Sequence, residues 1–114
     1  MPVRTRRVYE PPGEDDGKRY LVDRLWPRGV SKTAARVDEW LKDLAPSVEL
    51  RKWYGHEVDK YPEFRRHYRE ELRSRSEILA RLREEAGHRT VTLLFGAKDA
   101  EHCNATVLKE LLTD

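Results

Sequence analysis

The chain has a single cysteine, Cys103, so an intrachain disulfide is excluded and a reducing cytoplasm is the expected setting. It lacks any apolar run approaching the ~20 residues a membrane span needs. The basic segment Met1 to Arg7 is not followed by an apolar stretch, so it does not read as a secretory leader. An excess of one charge is missing too: 23 Lys+Arg against 21 Asp+Glu leave a formal charge of +2. That balance excludes a polybasic protein held to its partner by bulk electrostatics. No glycine-rich phosphate loop is present, because Gly96-Ala97-Lys98-Asp99 matches neither a P-loop nor a dinucleotide fingerprint. The histidines His56, His67, His88 and His102 form no HxxxH, HExxH or CxxC partner set, so no metal-site spacing exists and none is expected. His56 with Glu57 and Asp59 reads as a solvated loop. What remains is a chain of 114 residues, 38% hydrophobic and 39% charged, which is long enough for one domain with a thin core. Three Trp and five Tyr argue against disorder.

Residues Val3 to Tyr9 suit a short edge strand, and Glu10 to Gly17 (EPPGEDDG) an exposed loop. Arg19 to Trp26 (RYLVDRLW) reads as a mostly buried strand stopped by Pro27 and Gly29. A short helical turn with Ser31 as N-cap follows. Val37 to Ala45 fits a third strand, although Trp40, Leu41 and Leu44 also suit a helix face. Ser47 to Tyr54 predicts a short helix capped by Ser47, with Glu49 in the first turn. One long helix is predicted from about Lys60 to Ala86, with Asp59 as cap, Pro62 in the first turn and Gly87 closing it. Its apolar stripe runs through Phe64, Tyr68, Leu72, Leu79, Leu82 and Ala86, with i,i+4 pairs Glu71/Arg75, Glu77/Arg81 and Arg81/Glu85 on the wet side. Thr90 to Phe95 predicts a central buried strand, and Ala100 to Leu112 a last amphipathic helix. The expected fold class is α/β: a single domain, residues 1–114, with an about four-stranded, partly parallel sheet covered by helices. The relative direction of the first two strands is open.

In parallel α/β sheets, ligands gather at the carboxyl ends of the strands. Three polar groups fall there. Arg24, Trp26, Pro27, Arg28 and Gly29 follow strand two. Lys42, Asp43, Pro46, Ser47 and Arg51 follow strand three. Gly96, Lys98 and Asp99 follow the last strand, ahead of His102, Cys103 and Asn104. Guanidinium forks, a stacking indole and a helix N-terminus suit a small anionic ligand bearing phosphate or carboxylate. Arg24, Arg28, Arg51 and Lys98 would hold charge, Trp26 would wall the pocket, and Ser47 and Asn104 would orient the ligand. Asp43, Asp99 and His56 are the groups available for proton transfer if a reaction follows binding. The structural alternative pairs Arg24 with Asp23, Asp38 or Asp43 and puts Trp26 in the core. Cys103, in the first turn of the predicted last helix, would have its pKa lowered by the dipole, yet a buried helical cysteine is the plainer reading. A rival reading is a non-enzymatic module that engages nucleic acid or a protein through Arg65, Arg66, Arg69, Arg73 and Arg75. Against it, Glu70 and Glu71 interleave with those arginines, which is the pattern of a solvated helix face.

RVYEPP (Arg7 to Pro12), DGKRYLVDRLWPRG (Asp16 to Gly29), DEWLKDLAPSVELRKWYGH (Asp38 to His56), FRRHYREEL (Phe64 to Leu72) and TLLFGAKDAEHCNATVL (Thr92 to Leu108) together resemble the YeaO-like family of small bacterial proteins of unknown function. The resemblance spans nearly the whole chain. It implies a small cytoplasmic α/β protein and brings no established activity or cofactor with it. Motif positions carry over to Arg24, Trp26, Pro27, Arg28, Gly29, Lys42, Pro46, Ser47, Leu50, Arg51, His56, Tyr68, Lys98, Asp99, Asn104 and Ala105, whose polar members are largely those placed on the rim. The family often has Asn-His or Asn-Asn before the alanine of its last motif. Cys103-Asn104 stands there in this chain, which argues against a family-wide cysteine nucleophile.

Overall fold

A computed structural model describes residues 3–113; Met1, at the head of the basic N-terminal segment, Pro2 and Asp114 lie outside the described residues. Four strands, β1 (Val3–Arg7), β2 (Lys18–Leu21), β3 (Glu39–Trp40) and β4 (Val91–Phe95), form one sheet in the order β1-β4-β2-β3. Every pairing is parallel, so β1 and β2 share the direction of β4, and the sheet is parallel throughout these strands rather than in part. The helices are α1 (Val48–Tyr54), α2 (Tyr61–Leu72), α3 (Ser76–Ala86) and α4 (Asn104–Thr113). This is the expected α/β architecture.

β4 is buried along its whole length because β1 and β2 flank it and both its faces are covered. Side chains alternate across it. Val91, Leu93 and Phe95 join Tyr20 and Val22 in the main core with Phe64, Tyr68, Leu82 and Leu108 of the helices. Leu94 and Leu21 belong to a smaller core with Val8, Ala35 and Val37, against which Trp26, Val30 and Trp40 pack. That second face is covered by the irregular segment 26–38 rather than by a helix. Ser31 starts a turn there as expected, its Oγ accepting the Ala34 N–H at 3.2 Å.

Four expectations are corrected. The long helix is two helices, α2 and α3, joined by a 3₁₀ turn at Arg73–Arg75. Residues 73–77 are all exposed, so nothing apolar holds that stretch straight against the core, and Ser74 Oγ bonds back to Glu71 O at 3.0 Å. Asp59 does not cap it; α2 follows a 3₁₀ turn at Val58–Lys60 and has no side-chain cap. The predicted third strand is reduced to Glu39–Trp40 and then tightens into a 3₁₀ turn at Lys42–Leu44, where the Tyr68 hydroxyl donates to Leu44 O. The wet-side i,i+4 pairs give way to tertiary partners: Arg81 reaches Glu39, Glu85 accepts the Tyr20 hydroxyl, and Glu71 accepts from Ser47.

The loop read as exposed contains one fully buried acid. Asp16 and Arg19 are both 0% exposed and form a direct ion pair. Asp16 Oδ2 also accepts the Gly13 N–H at 2.9 Å, while Arg19 donates to Ala35 O at 3.1 and 2.8 Å. The pair fastens both the 10–17 loop and the 26–38 segment to the strand that carries Arg19.

Candidate functional site

β2 and β4 end side by side, and one carboxylate gathers the chain beyond them. Asp23 Oδ2 accepts the Gly96 N–H at 2.8 Å. A Cβ on Gly96 would stand 3.2 Å from that oxygen, so the absence of a side chain lets the two loops approach. Asn104, the first residue of α4, donates through its amide to Val22 O at 2.9 Å and to Asp23 Oδ1 at 3.3 Å. Burial raises the Asp23 pKa; the Gly96 and Asn104 hydrogen bonds and the nearby His56 and Arg51 offset only part of that rise.

The opposite wall comes from α1. Ser47 caps it, its Oγ accepting the Leu50 N–H at 3.1 Å, while its own N–H and O–H bond Glu71 at 2.9 and 2.6 Å. Arg24 Nε donates to Pro46 O at 3.1 Å, immediately before that cap. Arg24 has no ion pair with Asp23, Asp38 or Asp43 among the described residues; Asp38 instead accepts the Arg19 N–H at 2.8 Å. Arg51 lies on α1 between the buried Leu50 and Tyr54, and its own side chain is exposed. Gly55 closes α1 at φ 52°, and His56 follows at φ 59°. A left-handed non-glycine residue is uncommon and carries strain. The turn holds the His56 ring 5.9 Å from that of Tyr54.

Between these walls lies a cleft of about 230 Å³. Asp23, Arg24, Arg51, His56 and Asn104 supply its polar lining; Leu25, Pro46, Tyr54, Phe64 and Ala97 supply apolar wall. Of the residues expected on the rim, Arg24, Arg51 and Asn104 meet here. Trp26, Arg28, Ser47, Lys98 and Asp99 are not in its lining. β2 ends at Leu21, so the Pro27–Gly29 turn falls over the second core instead of the rim. There Trp26 Nε1 donates to Val30 O at 2.8 Å, and its ring meets Trp40 edge-on at 5.3 Å. Arg28 is exposed, and its carbonyl accepts the Tyr9 hydroxyl at 3.2 Å. Ser47 faces a neighbouring groove with Asp43, Glu71 and Arg75, and Lys98 is exposed. Asp99 shapes the approach to α4: Oδ1 accepts the N–H groups of Glu101 and His102 at 3.0 and 3.2 Å, and Oδ2 lies 2.8 Å from His102 Nδ1. The His102 hydrogen bond holds its pKa below the ordinary carboxylate value.

Cys103 also borders the cleft, and α4 starts one residue after it, so the thiol sits at the N-cap position, where the N–H groups of Ala105 and Thr106 pull its pKa down by less than burial pushes it up. Its thiol is buried, with Sγ 3.7 Å from Ala100 O and 3.5 Å from Thr106 Oγ1. Burial raises its pKa, the reverse of the shift a dipole would produce. Asp23 is the site residue that sequence reasoning passed over. Its signal is an acid just past the buried run Tyr20–Leu21–Val22, and in the sequence it figures only as an ion-pair partner for Arg24. Among the described residues no group of three or more His, Cys, Asp or Glu is placed to hold a metal ion. No helix of these residues is long and apolar enough to cross a membrane. On α2, Arg65 and Arg69 pair with Glu110 of α4; in the 3₁₀ turn after it Arg73 pairs with Glu70 and Arg75 donates to Asp43 O at 2.9 Å.

A family model, DUF488-N3i, described as the inactive DUF488-N3 subclade, matches residues 2–114. Uncharacterized protein YeaO of Escherichia coli (strain K12) is 44% identical over 112 residues, covering 98% of this chain and 97% of its own length. The chain belongs to the YeaO-like, DUF488-N3i family. Uncharacterized proteins Rv3073c of Mycobacterium tuberculosis and Mb3100c of Mycobacterium bovis are each 55% identical over 62 residues, which is 54% of this chain and 52% of theirs. No solved structure matches the chain. The motif resemblance noted in the sequence is therefore one of descent. Of the YeaO-like motif positions, Arg24, Pro46, Arg51, His56 and Asn104 come together in the cleft.

Proposed function

We propose that this YeaO-like protein binds a small anionic ligand, bearing phosphate or carboxylate, in the cleft at the carboxyl end of its sheet. The observation that carries this reading is the meeting of Arg24, Arg51 and His56 around one concave site. Arg24 is oriented in advance through Nε, which leaves its terminal nitrogens for a ligand. Arg51 is exposed and makes no ion pair within 4 Å among the described residues, so its guanidinium is open to a ligand anion. The position agrees with the general placing of ligands in parallel sheets. Strain at His56 is what a binding site tolerates.

Binding without turnover is the form of the proposal we favour. The matched family is described as an inactive subclade. The cleft's cysteine has a raised pKa, and Asp23 is the group suited to proton transfer, with no activated nucleophile beside it. The arginine-rich segment is the weaker candidate, because Arg65, Arg69, Arg73 and Arg75 are engaged in ties to α4 and to neighbouring residues, which leaves Arg66 as its exposed cation without such a tie among the described residues.

Thermal unfolding with phosphate monoesters, sulfate and short carboxylates tests the reading. A ligand at about 100 times its Kd adds roughly 2.7 kcal/mol, a shift of about 10 °C for a domain of 114 residues. Arg51→Ala and Arg24→Ala should abolish that shift, and Arg28→Ala should keep it. Stabilisation that survives both cleft substitutions places the ligand elsewhere.

A further inference from the structure

The cleft contains a feature that a plain anion site does not need. Asp23 puts a carboxylate at its inner end, while Arg51 and His56 are exposed at its mouth. A bare anion drawn in by the two arginines would bring its charge toward another negative group. The acceptor must therefore answer to something on the ligand, or the site opposes its own occupant.

The geometry of Asp23 says what that is. A carboxylate accepts about four hydrogen bonds. Gly96 N–H takes one place on Oδ2 at 2.8 Å, and the Asn104 amide takes one on Oδ1 at 3.3 Å. Asn104 is itself held by Val22 O at 2.9 Å, so both supports are rigid and the carboxylate is fixed in direction. Two acceptor places remain on a group that borders the cleft, with no side-chain cation bonded to them among the described residues. The apolar surfaces of Leu25, Tyr54 and Phe64 line the same cleft. The space, about 230 Å³, is that of roughly seven or eight waters.

Building on the anion reading above, we propose that the ligand is an anion that also carries a hydrogen-bond donor: a short-chain amino or hydroxy acid whose carboxylate meets Arg24 and Arg51 and whose N–H or O–H reaches Asp23. A donor turns the carboxylate from a repulsive group into a partner, and the carbon skeleton lies along the apolar wall. Sites built to bond an O–H or N–H reject the analogue that lacks it, because their own polar group is then left unpaired.

Three probes with one carbon skeleton separate the possibilities: leucine, 2-hydroxy-4-methylpentanoate and 4-methylpentanoate. Titration calorimetry at pH 7 on the intact wild-type protein should show one or both donor-bearing acids binding at least tenfold more tightly than 4-methylpentanoate. The better of the two identifies the donor as ammonium or hydroxyl. In Asp23→Asn that preference should fall below about threefold, with 4-methylpentanoate bound as well as before or better. If wild type binds 4-methylpentanoate as tightly as the other two, Asp23 does not read a donor and the inference is overturned. That comparison needs no variant, so it stands even where Asp23→Asn fails to fold. If none of the three binds, the inference is likewise overturned. Titrations of phosphate, sulfate and 4-methylpentanoate with and without Arg51→Ala then decide the anion reading separately: arginine-dependent binding of any of the three keeps it, and its absence for all three removes it.

Discussion

Replacing Asp16 by alanine should be the most damaging single change in a loop of this protein. The carboxylate is fully buried and bonds two groups: the Arg19 guanidinium and the Gly13 N–H. Arg4 Nη1 and Arg6 Nε stand 3.6 and 3.8 Å away. In Asp16→Ala, Arg19 keeps its two bonds to Ala35 O but becomes a buried charge without a counter-ion. Removing one member of a buried pair costs about 3–5 kcal/mol, against a total stability of about 5–15 kcal/mol for an ordinary domain. With about 2.1 cal/mol/K of unfolding entropy per residue, 114 residues give about 0.24 kcal/mol/K. The expected fall in Tm is therefore about 12–20 °C. Urea and thermal denaturation followed by far-UV circular dichroism measure it. A double variant, Asp16→Leu with Arg19→Met, removes both charges and should recover most of the loss.

The same residue predicts a pH dependence. Burial pushes its pKa up, but the Gly13 N–H and the Arg19 guanidinium more than offset this and hold it below the ordinary 3.8. A depressed folded pKa stabilises the native state above the unfolded value, and that stability is lost as pH falls through the folded one. The stability gap between wild type and Asp16→Asn should thus be constant from pH 7 to about 5 and should shrink below about pH 4. A loss under about 1 kcal/mol in Asp16→Ala at pH 7, or a gap that grows on acidification, would refute the argument that this pair anchors the two loops.

Ser47→Ala should cost about 1–2 kcal/mol in urea denaturation, since it removes the cap on Leu50 N and the hydroxyl bond to Glu71; a change within 0.3 kcal/mol would show, on the order of error for a surface site, that α1 needs neither. Cys103, buried and with a raised pKa, should react with iodoacetamide at pH 8 on the order of a hundredfold more slowly in the native than in the urea-unfolded protein. Native and unfolded rates within tenfold of each other would mean an accessible, reactive thiol.

Local chemistry was enough to place the elements whose cause is local. Ser47 ahead of VELRKWY marks α1 because a hydroxyl caps free N–H groups without help from distant residues. VTLLF marks β4 because a β-branched, apolar run has few alternatives to a buried strand. With parallel strands, the carboxyl edge follows from the strand–helix alternation, and the sequence order alone puts Arg24, Arg51 and Asn104 beyond it.

The remainder depended on partners far apart in the chain. The break between α2 and α3 lies in a polar stretch whose fate is set by what the core offers it, and periodicity carries straight through the gap from Leu72 to Leu79. Asp16 and Arg19 look like surface charges until Ala35 and Gly13 close around them. Trp26 and Arg28 follow the right strand but leave the rim, because β2 ends at Leu21 and the chain then crosses to the second face. Asp23 becomes a fixed part of the cleft lining only when Gly96 and Asn104, 73 and 81 residues away, donate to it. Capping, propensity and alternation are properties of neighbours and are written in the sequence. The direction of a buried carboxylate is decided by the long-range hydrogen bonds that hold it, and those exist only in the folded chain.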